Sequence, residues 1–261
     1  MRHFIFAILL ITTSFAANVA AQPEEPSQKA VLITGASTGI GRSMAELMAS
    51  KGHFVYAGAR KDKDMAELNA IENIQAVRLD VTDQEQIDAA VATIAEAGRG
   101  LYGLINNAGV GVIYPLIEVP ESEFDFQMDV NLYGPWRVTK AFAPLIIESK
   151  GRISITGSIS GILSGPLFGV YSMSKHGMEA FADSLAREME RFDVKVSIIE
   201  PGNYESKIGD TLVKRMRSRG FDSSQSQYQE DFDRMMSYMD GDREEEADPI
   251  AVAQAAMHAM F

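Results

Sequence analysis

The chain has 261 residues, of which 46% are hydrophobic and 23% charged, and these are ordinary values for one or at most two soluble globular domains. Its formal net charge of -12 argues against nucleic acid as a partner, because phosphate binding requires Lys and Arg. The absence of cysteine excludes disulfides and thiol catalysis, and the four scattered histidines show no metal-ligand spacing, so we expect no metal site.

The N-terminus differs in kind from the rest of the chain. A basic start at Met1–His3 precedes an apolar run, Phe4–Ile11, and small residues at Val19–Ala21. This pattern predicts a secretory signal peptide over residues 1–21, and therefore an exported protein that is periplasmic or secreted. The alternatives are an uncleaved anchor, which would hold the protein near a membrane, and a misassigned start codon. Residues 22–28 indicate a flexible leader.

From Lys29 onwards, short β-branched runs alternate with longer helical patterns. The predicted strands are Ala30–Thr34, His53–Ala59, Ala76–Leu79, Gly103–Asn106, Arg152–Thr156 and Val194–Ile199. The predicted helices are Ile40–Ser50, Asp64–Ala70, Asp83–Ala97, Phe126–Ser149 with a kink or break at Pro135, Gly169–Arg191, and one that starts near Pro249. This alternation predicts an α/β domain over residues 29–261, with a doubly wound parallel sheet and helices on both faces.

A glycine-rich turn joins the first strand to the first helix. Glycines permit a tight turn and allow a pyrophosphate to approach the backbone, where the free N–H groups of the helix N-terminus bind it. The position of the turn therefore predicts a dinucleotide site. Its predicted contacts are Gly35, Ser37, Thr38, Gly39, Ile40 and Gly41.

The end of the second strand carries information about the cofactor. An acidic residue at this point would bind the ribose 2′-hydroxyl of NAD, but the chain instead has Arg60 and Lys61. The guanidinium of Arg60 suits a 2′-phosphate. We therefore predict that NADP(H) is preferred, with NAD(H) possible, and the alternative is an ordinary surface pair of bases.

Tyr171 and Lys175 are the candidate reactive pair. Residues four apart share one face of a helix, so the ammonium group should lie beside the phenol. A free tyrosine has a pKa of about 10, and a neighbouring positive charge favours the phenolate. Such a tyrosine can act as an acid or a base near neutral pH.

Together these features resemble a known family. After the glycine turn come Asp80-Val81, Asn106-Asn107-Ala108-Gly109 and Pro201-Gly202, with single matches at Asn131 and Ser158 between them. In this order the motifs resemble the classical short-chain dehydrogenases/reductases over roughly residues 29–206. The resemblance implies a Rossmann-type fold, a homo-oligomer (dimer or tetramer) and hydride transfer between a nicotinamide cofactor and a small-molecule alcohol or carbonyl substrate.

The resemblance also implies individual roles. Tyr171 would be the acid/base, and Ser158 would polarise the substrate oxygen, with Ser160 as a rival in the sequence. Lys175 would bind the nicotinamide ribose and lower the tyrosine pKa, and Asn131 would hold a water that links Lys175 to solvent. Alone, Asp80 could be a helix cap and Asn131 a turn residue. The other implied cofactor contacts are Asp80, Val81, Asn107, Ala108, Gly109, Pro201, Gly202 and Ser206.

Three features depart from the family pattern. Tyr204 stands where an aliphatic residue is usual, the chain stops at Phe261 before the usual seventh strand, and the leader is atypical. A missing strand would leave a sheet edge uncovered.

Residues 205–248 break the strand–helix rhythm. They are either a solvated excursion or a lid over the substrate, with Met235, Met236 and Met239 as an adaptable apolar lining. This lining, with the apolar loop Gly161–Phe168, favours a hydrophobic steroid-, retinoid- or lipid-like substrate. The alternative functions are a non-catalytic nucleotide-binding sensor or scaffold on the same fold, and an epimerase or dehydratase.

Overall fold

Six parallel strands form one sheet in this computed structural model, which describes residues 28–240 and 246–261 and leaves out the side chains of residues 238–240. In chain order the strands are β1 (Ala30–Ile33), β2 (Phe54–Ala59), β3 (Ile74–Arg78), β4 (Gly103–Asn106), β5 (Arg152–Thr156) and β6 (Lys195–Ile199). Their spatial order is β3-β2-β1-β4-β5-β6, which confirms the predicted doubly wound sheet. The order reverses between β1 and β4, and ligands bind at such switch points.

Helices cover both faces of the sheet. They are α1 (Gly39–Ser50), α2 (Asp62–Asn69), α3 (Gln84–Glu96), α4 (Glu121–Met128), α5 (Gly134–Glu148), α6 (Gly169–Met189), α7 (Ile208–Ser218), α8 (Gln229–Asp240) and α9 (Ile250–Met260). Alternate residues of β1 point to opposite faces. Leu32 packs with buried residues of α3 and α5, whereas Ile33 packs with those of α1 and α9.

Predictions were also made for the two ends of the chain, namely an N-terminal signal peptide or anchor and a missing seventh strand. The predicted signal peptide and all of the leader except Gln28 lie outside the described residues. Within residues 28–240 and 246–261, no helix combines the length and hydropathy that crossing a bilayer requires. The same residues contribute six strands to the sheet, and no seventh.

Some predicted boundaries were wrong. β3 begins at Ile74, two residues before the predicted start. The helix predicted over Phe126–Ser149 is instead α4, a π-helical turn at Asp129–Tyr133, and α5. The interruption thus precedes Pro135, which lies in the first turn of α5, where its missing N–H is tolerated.

The described part of residues 205–248 contains the helices α7 and α8, which pack on the domain. Buried residues of this region, among them Leu212 and Phe232, form a separate apolar cluster with Tyr114. Met235 and Met236 are half-buried against this cluster, and the side chain of Met239 lies outside the described residues. The predicted methionine lining is therefore wrong for the two residues that can be placed, because both take part in core packing.

An ion pair anchors α7 to α4. The guanidinium of Arg215 donates to both carboxylate oxygens of Glu123, at 2.7 and 3.0 Å, and lies 3.5 Å from the ring centre of Phe126. The Glu123 side chain is only 5% exposed. Since a buried carboxylate needs its partner, this contact helps to hold α7 on the domain.

We expect Arg215→Ala to lower the free energy of unfolding by about 3 kcal/mol, because it leaves the buried Glu123 carboxylate with only the more distant Arg219. Chemical denaturation measures this loss. The matched control is Arg234→Ala, whose partner Asp231 is 3.5 Å away and whose own side chain is 78% exposed. The control should cost less than about 0.5 kcal/mol, and equal losses in the two variants would contradict the anchoring role.

Candidate active site

A cavity of about 510 Å³ lies at the carboxyl ends of the strands. Its walls come from the segments that follow all six strands and from α7. Every site residue predicted from the sequence lines this cavity except Asn131. The predicted residues that do so are Gly35, Ser37, Thr38, Gly39, Ile40, Gly41, Arg60, Asp80, Val81, Asn107, Ala108, Gly109, Ser158, Tyr171, Lys175, Pro201, Gly202 and Ser206.

The glycine-rich turn packs tightly against the loop that follows β4. Gly35 has a φ of +64°, and a Cβ there would lie 2.9 Å from Cα of Ala108. A Cβ on Gly41 would collide with Nδ2 of Asn107 and with the carbonyl oxygen of Gly35. Gly35 therefore requires glycine for its left-handed conformation and for the close contact with Ala108. Gly41 requires glycine because the neighbouring atoms leave no room for a side chain.

We expect Gly41→Ala to weaken NADPH binding at least about tenfold and to lower the free energy of unfolding by about 2 kcal/mol, since backbone must move to admit the methyl group. Fluorescence titration and denaturation measure the two effects. The matched control is Gly165→Ala, where a Cβ would have no neighbour within 4 Å. Wild-type affinity in Gly41→Ala would contradict the role of the turn.

The N-terminus of α1 faces the cavity, and its local structure suits the binding of an anion. Its N-cap residue, Thr38, makes no capping hydrogen bond through its side chain, and its first turn holds no acidic residue. The first N–H groups of a helix have no partner within the helix and carry partial positive charge. The turn and α1 therefore fit the pyrophosphate of a dinucleotide.

Thr34 and Asn107 join the turn after β1 to the ends of β4 and β5. The Oγ1 of Thr34 accepts the N–H of Asn107 at 2.9 Å and that of Ala108 at 3.0 Å. The side chain of Asn107 donates to the Thr34 carbonyl at 3.0 Å and accepts the hydroxyl of Thr156 at 3.2 Å. These bonds fix the floor of the cavity across three strands.

Arg60 and Asp80, which follow β2 and β3, form an ion pair at one end of the cavity, with 3.3 Å between Nη1 and Oδ2. Burial opposes the charge of Asp80, but hydrogen bonds from Thr82 and the neighbouring guanidinium hold the pKa of Asp80 below its usual value. The alternative that Asp80 caps a helix is wrong, because Asp83 is the residue that caps α3.

Tyr171, Lys175 and Ser158 meet at the opposite end of the cavity. Lys175 is buried, lies 5.7 Å from the ring centre of Tyr171, and donates to the carbonyl of Thr156 at 2.8 Å. The Ser158 side chain lies close enough to Tyr171 for its hydroxyl to influence the pKa of the phenol. α6 supplies the tyrosine and the lysine, and the turn after β5 supplies the serine.

The electrostatics of this group differ from the prediction. Burial raises the pKa of Tyr171 above its usual value, and only the hydrogen bond from Ser158 opposes the rise. Burial also lowers the pKa of Lys175 to about 8, although the charge of Glu179 opposes this. Burial is the larger effect, so the net pKa of Tyr171 is raised rather than lowered as predicted.

The contacts of Ser158 and Ser160 distinguish the two candidate serines. Both Ser158 and Ser160 line the cavity, but Ser158 is the one whose side chain meets Tyr171. The Oγ of Ser158 also accepts the N–H of Ser160 at 3.1 Å. This bond orients the Ser158 hydroxyl and favours it over Ser160.

Asn131 is buried in the π-helical turn, beside the cavity. Its Oδ1 accepts the N–H of Val110 at 2.9 Å, and its Nδ2 donates to the Val110 carbonyl at 3.0 Å and to Ser174 at 3.2 Å. The side chain therefore fixes the loop after β4 against α6. Pro135 has no N–H and so cannot donate to the Asn131 carbonyl four residues earlier.

Sequence reasoning missed several lining residues. Ile208 and Leu212 of α7 line the cavity, and so do Val110 and Ile159, whereas Phe168 belongs to the apolar loop that the sequence had indicated. The helical spacing of Ile208, Leu212 and Met216, four residues apart, was an available signal for a helix with one buried face. The carbonyl of Thr156, which accepts from Lys175, has no sequence signature, since every residue carries a carbonyl.

Comparison with known proteins identifies the family. The sequence profile of the short chain dehydrogenase family matches residues 29–217. The chain therefore belongs to this family. It is 36% identical over 195 residues to mitochondrial D-beta-hydroxybutyrate dehydrogenase of Mus musculus, a match that covers 71% of this chain and 57% of that protein. It is 39% identical over 185 residues to retinol dehydrogenase 7 of Rattus norvegicus, covering 69% and 58%. The chain thus spans less than two thirds of these relatives.

Solved structures show the same fold. A short chain dehydrogenase/reductase from Burkholderia phymatum in complex with NAD is 26% identical, with a TM-score of 0.76 and coverage of 89% of this chain and 85% of that one. A variant of actinorhodin polyketide ketoreductase with NADPH is 26% identical, with a TM-score of 0.74 and coverage of 90% of each chain. Relatives of this fold therefore bind either nicotinamide cofactor.

Proposed function

We propose that the protein is an NADP(H)-dependent oxidoreductase that interconverts an alcohol and a ketone or aldehyde. The observation that carries the proposal is one cavity with a dinucleotide turn at one end and Ser158, Tyr171 and Lys175 at the other. The first group fits a nicotinamide cofactor, and the second fits proton transfer at a carbonyl oxygen.

The residues act on the substrate oxygen. When bound, the cofactor supplies or accepts the hydride. In reduction, the Tyr171 hydroxyl gives its proton to the oxygen that gains charge, and the Ser158 hydroxyl donates a hydrogen bond to the same oxygen. Lys175 stabilises the resulting phenolate. A water on the carbonyl of Asn131 would return a proton through Lys175, and oxidation would run each step in reverse.

Arg60 supports the preference for NADP(H). It lies at the adenosine end with its side chain 63% exposed, so its guanidinium can turn from Asp80 towards a 2′-phosphate. Asp80, beside it, would bind the adenine ring. The bound NAD of one solved relative and the NADPH of another are compatible with either cofactor, and the Arg60 contact is the basis for preferring NADP(H).

The substrate end of the cavity supports an apolar alcohol or carbonyl compound. Ile159, Phe168, Ile208 and Leu212 line the same cavity as Tyr171, and the ring of Phe168 lies 6.4 Å from that of Tyr171. The names of the relatives include a retinol dehydrogenase and a hydroxybutyrate dehydrogenase. We infer that the retinoid-like class fits this lining better than a small hydroxy acid, because the lining offers apolar contact.

The test is NADPH consumption with two carbonyl probes, retinal and acetoacetate, each at several concentrations. We expect turnover with retinal at a kcat/KM at least about tenfold above that with acetoacetate, because the lining desolvates an apolar chain. Tight binding of NADPH without turnover of retinal, acetoacetate or a broader panel of ketones and aldehydes would favour the non-catalytic sensor instead.

A further inference from the structure

Lys207 is a cation in the wall of the cavity that neither the family resemblance nor the proposed reaction uses. It is the N-cap residue of α7, directly after Ser206, and it lines the cavity. Its side chain is 69% exposed, and its Nζ lies 3.4 Å from Oδ2 of Asp210. An exposed ion pair of this kind is worth little, so the ammonium can leave Asp210 for a partner of higher charge.

The backbone just before Lys207 lies on the glycine-rich turn. A Cβ on Gly39 would lie 3.2 Å from Cα of Ser206 and 3.6 Å from the carbonyl oxygen of Glu205. Gly39 is the first residue of α1, whose N-terminus fits a pyrophosphate. The flexible four-carbon side chain of Lys207 therefore starts one residue away from a direct contact with this N-terminus.

The charges in the cavity wall leave one cation beside the turn. Among the described residues, the cations that line the cavity are Arg60, Lys175 and Lys207, and the acids are Asp80 and Glu246. Arg60 is paired with Asp80 at one end. Lys175 is buried and donates its hydrogen bond to a backbone carbonyl. Lys207 is thus the cation that is placed for a ligand on the turn.

The glycine-rich turn itself brings no positive side chain to the ligand. Residues 34–41 contain neither lysine nor arginine. The next residue, Arg42, does not line the cavity and pairs with Glu46 at 2.7 Å and with Glu67 at 3.3 Å. A pyrophosphate carries two negative charges, and the partial charge of a helix N-terminus balances only part of them. A lysine that approaches from the other side would supply the missing charge.

We propose that Lys207 binds the pyrophosphate of the nicotinamide cofactor from the side opposite the N-terminus of α1. This assignment rests on the proposed function of the cavity. The pyrophosphate is common to NADPH and NADH, whereas the 2′-phosphate proposed for Arg60 belongs to NADPH alone. The two cations therefore have separate tasks, since Lys207 contributes to the affinity for both cofactors and Arg60 discriminates between them.

The test is a calorimetric titration of the full chain with four ligands, which are NADPH, NADH, ADP-ribose and adenosine 2′-monophosphate. ADP-ribose carries the pyrophosphate without the nicotinamide, and adenosine 2′-monophosphate carries the 2′-phosphate without the pyrophosphate. We expect Lys207→Gln to weaken the first three ligands by a similar factor of about ten, because each loses a charge-assisted contact. The affinity for adenosine 2′-monophosphate should stay within about twofold, and Lys207→Arg should restore most of the loss.

The matched control is Lys214→Gln, which removes the same charge from an exposed residue of α7 that does not line the cavity. It should weaken each ligand less than about twofold through the longer-range field. Wild-type affinity for ADP-ribose in Lys207→Gln, or equal losses in the two variants, would overturn the assignment. An equal loss for adenosine 2′-monophosphate would overturn it too, because a change in the whole cavity would then explain the result. A wild type that binds none of the four ligands would instead overturn the proposed function itself.

Discussion

Tyr171→Phe is expected to lower kcat by about 10³-fold while NADPH affinity stays near that of the wild type. The hydroxyl is the only part removed, and proton transfer by a positioned side chain is worth about 10²- to 10⁴-fold. The phenyl ring keeps its place on α6, so the cavity and the contact of Lys175 with Thr156 remain. Steady-state turnover and fluorescence titration measure the two quantities.

The control for this substitution is Tyr133→Phe, which removes the hydroxyl of a tyrosine that is 53% exposed in the π-helical turn. Its kcat should stay within about twofold of wild type, because a surface substitution of this kind has little effect. A Tyr171→Phe protein that keeps wild-type kcat would remove Tyr171 from the reaction, whatever its affinity for NADPH.

Arg60→Asp is expected to weaken NADPH binding about 100-fold and to leave NADH binding within a few-fold. The substitution removes the guanidinium proposed for the 2′-phosphate and puts a carboxylate in its place, a change worth about 3 kcal/mol. NADH lacks that phosphate, so the ratio of the two dissociation constants isolates the contact. Titration of both cofactors at one salt concentration measures it.

Lys61→Asp is the matched control, because it reverses the neighbouring charge at a residue that does not line the cavity. It should lower NADPH affinity only about twofold through the longer-range field. An unchanged cofactor ratio in Arg60→Asp, or an equal change in both variants, would contradict the role of Arg60 and the preference for NADP(H).

The elements that the sequence predicted well were those with strong local signals. The strands are nearly continuous apolar runs because both faces of the sheet are buried. A glycine-rich turn between the first strand and the first helix is typical of a dinucleotide site. The predicted site residues, which include Gly35 and Lys175, therefore line one cavity as expected. Only Asn131 does not, because its buried side chain holds the loop at Val110.

The remainder depended on tertiary contacts that one sequence does not encode locally. The helices of the Met-rich segment pack on the domain through the apolar cluster around Phe232 and through the pair of Arg215 with Glu123, which lie far apart in the chain. The direction of the Tyr171 pKa depends on how deeply α6 is buried, which periodicity does not reveal. The predicted export signal and homo-oligomer stay predictions, since the described residues test neither.

The most direct test of the account is the transfer of deuterium to a carbonyl probe such as retinal from NADPH that carries deuterium at both hydrogen positions of the nicotinamide C4. The reaction is followed by mass spectrometry of the alcohol product, with Tyr171→Phe as the parallel sample. The account predicts deuterium on the carbinol carbon with the wild type and a rate at least about 100-fold lower with the variant. NADPH bound to the wild type with no label in the product of any carbonyl probe would contradict it.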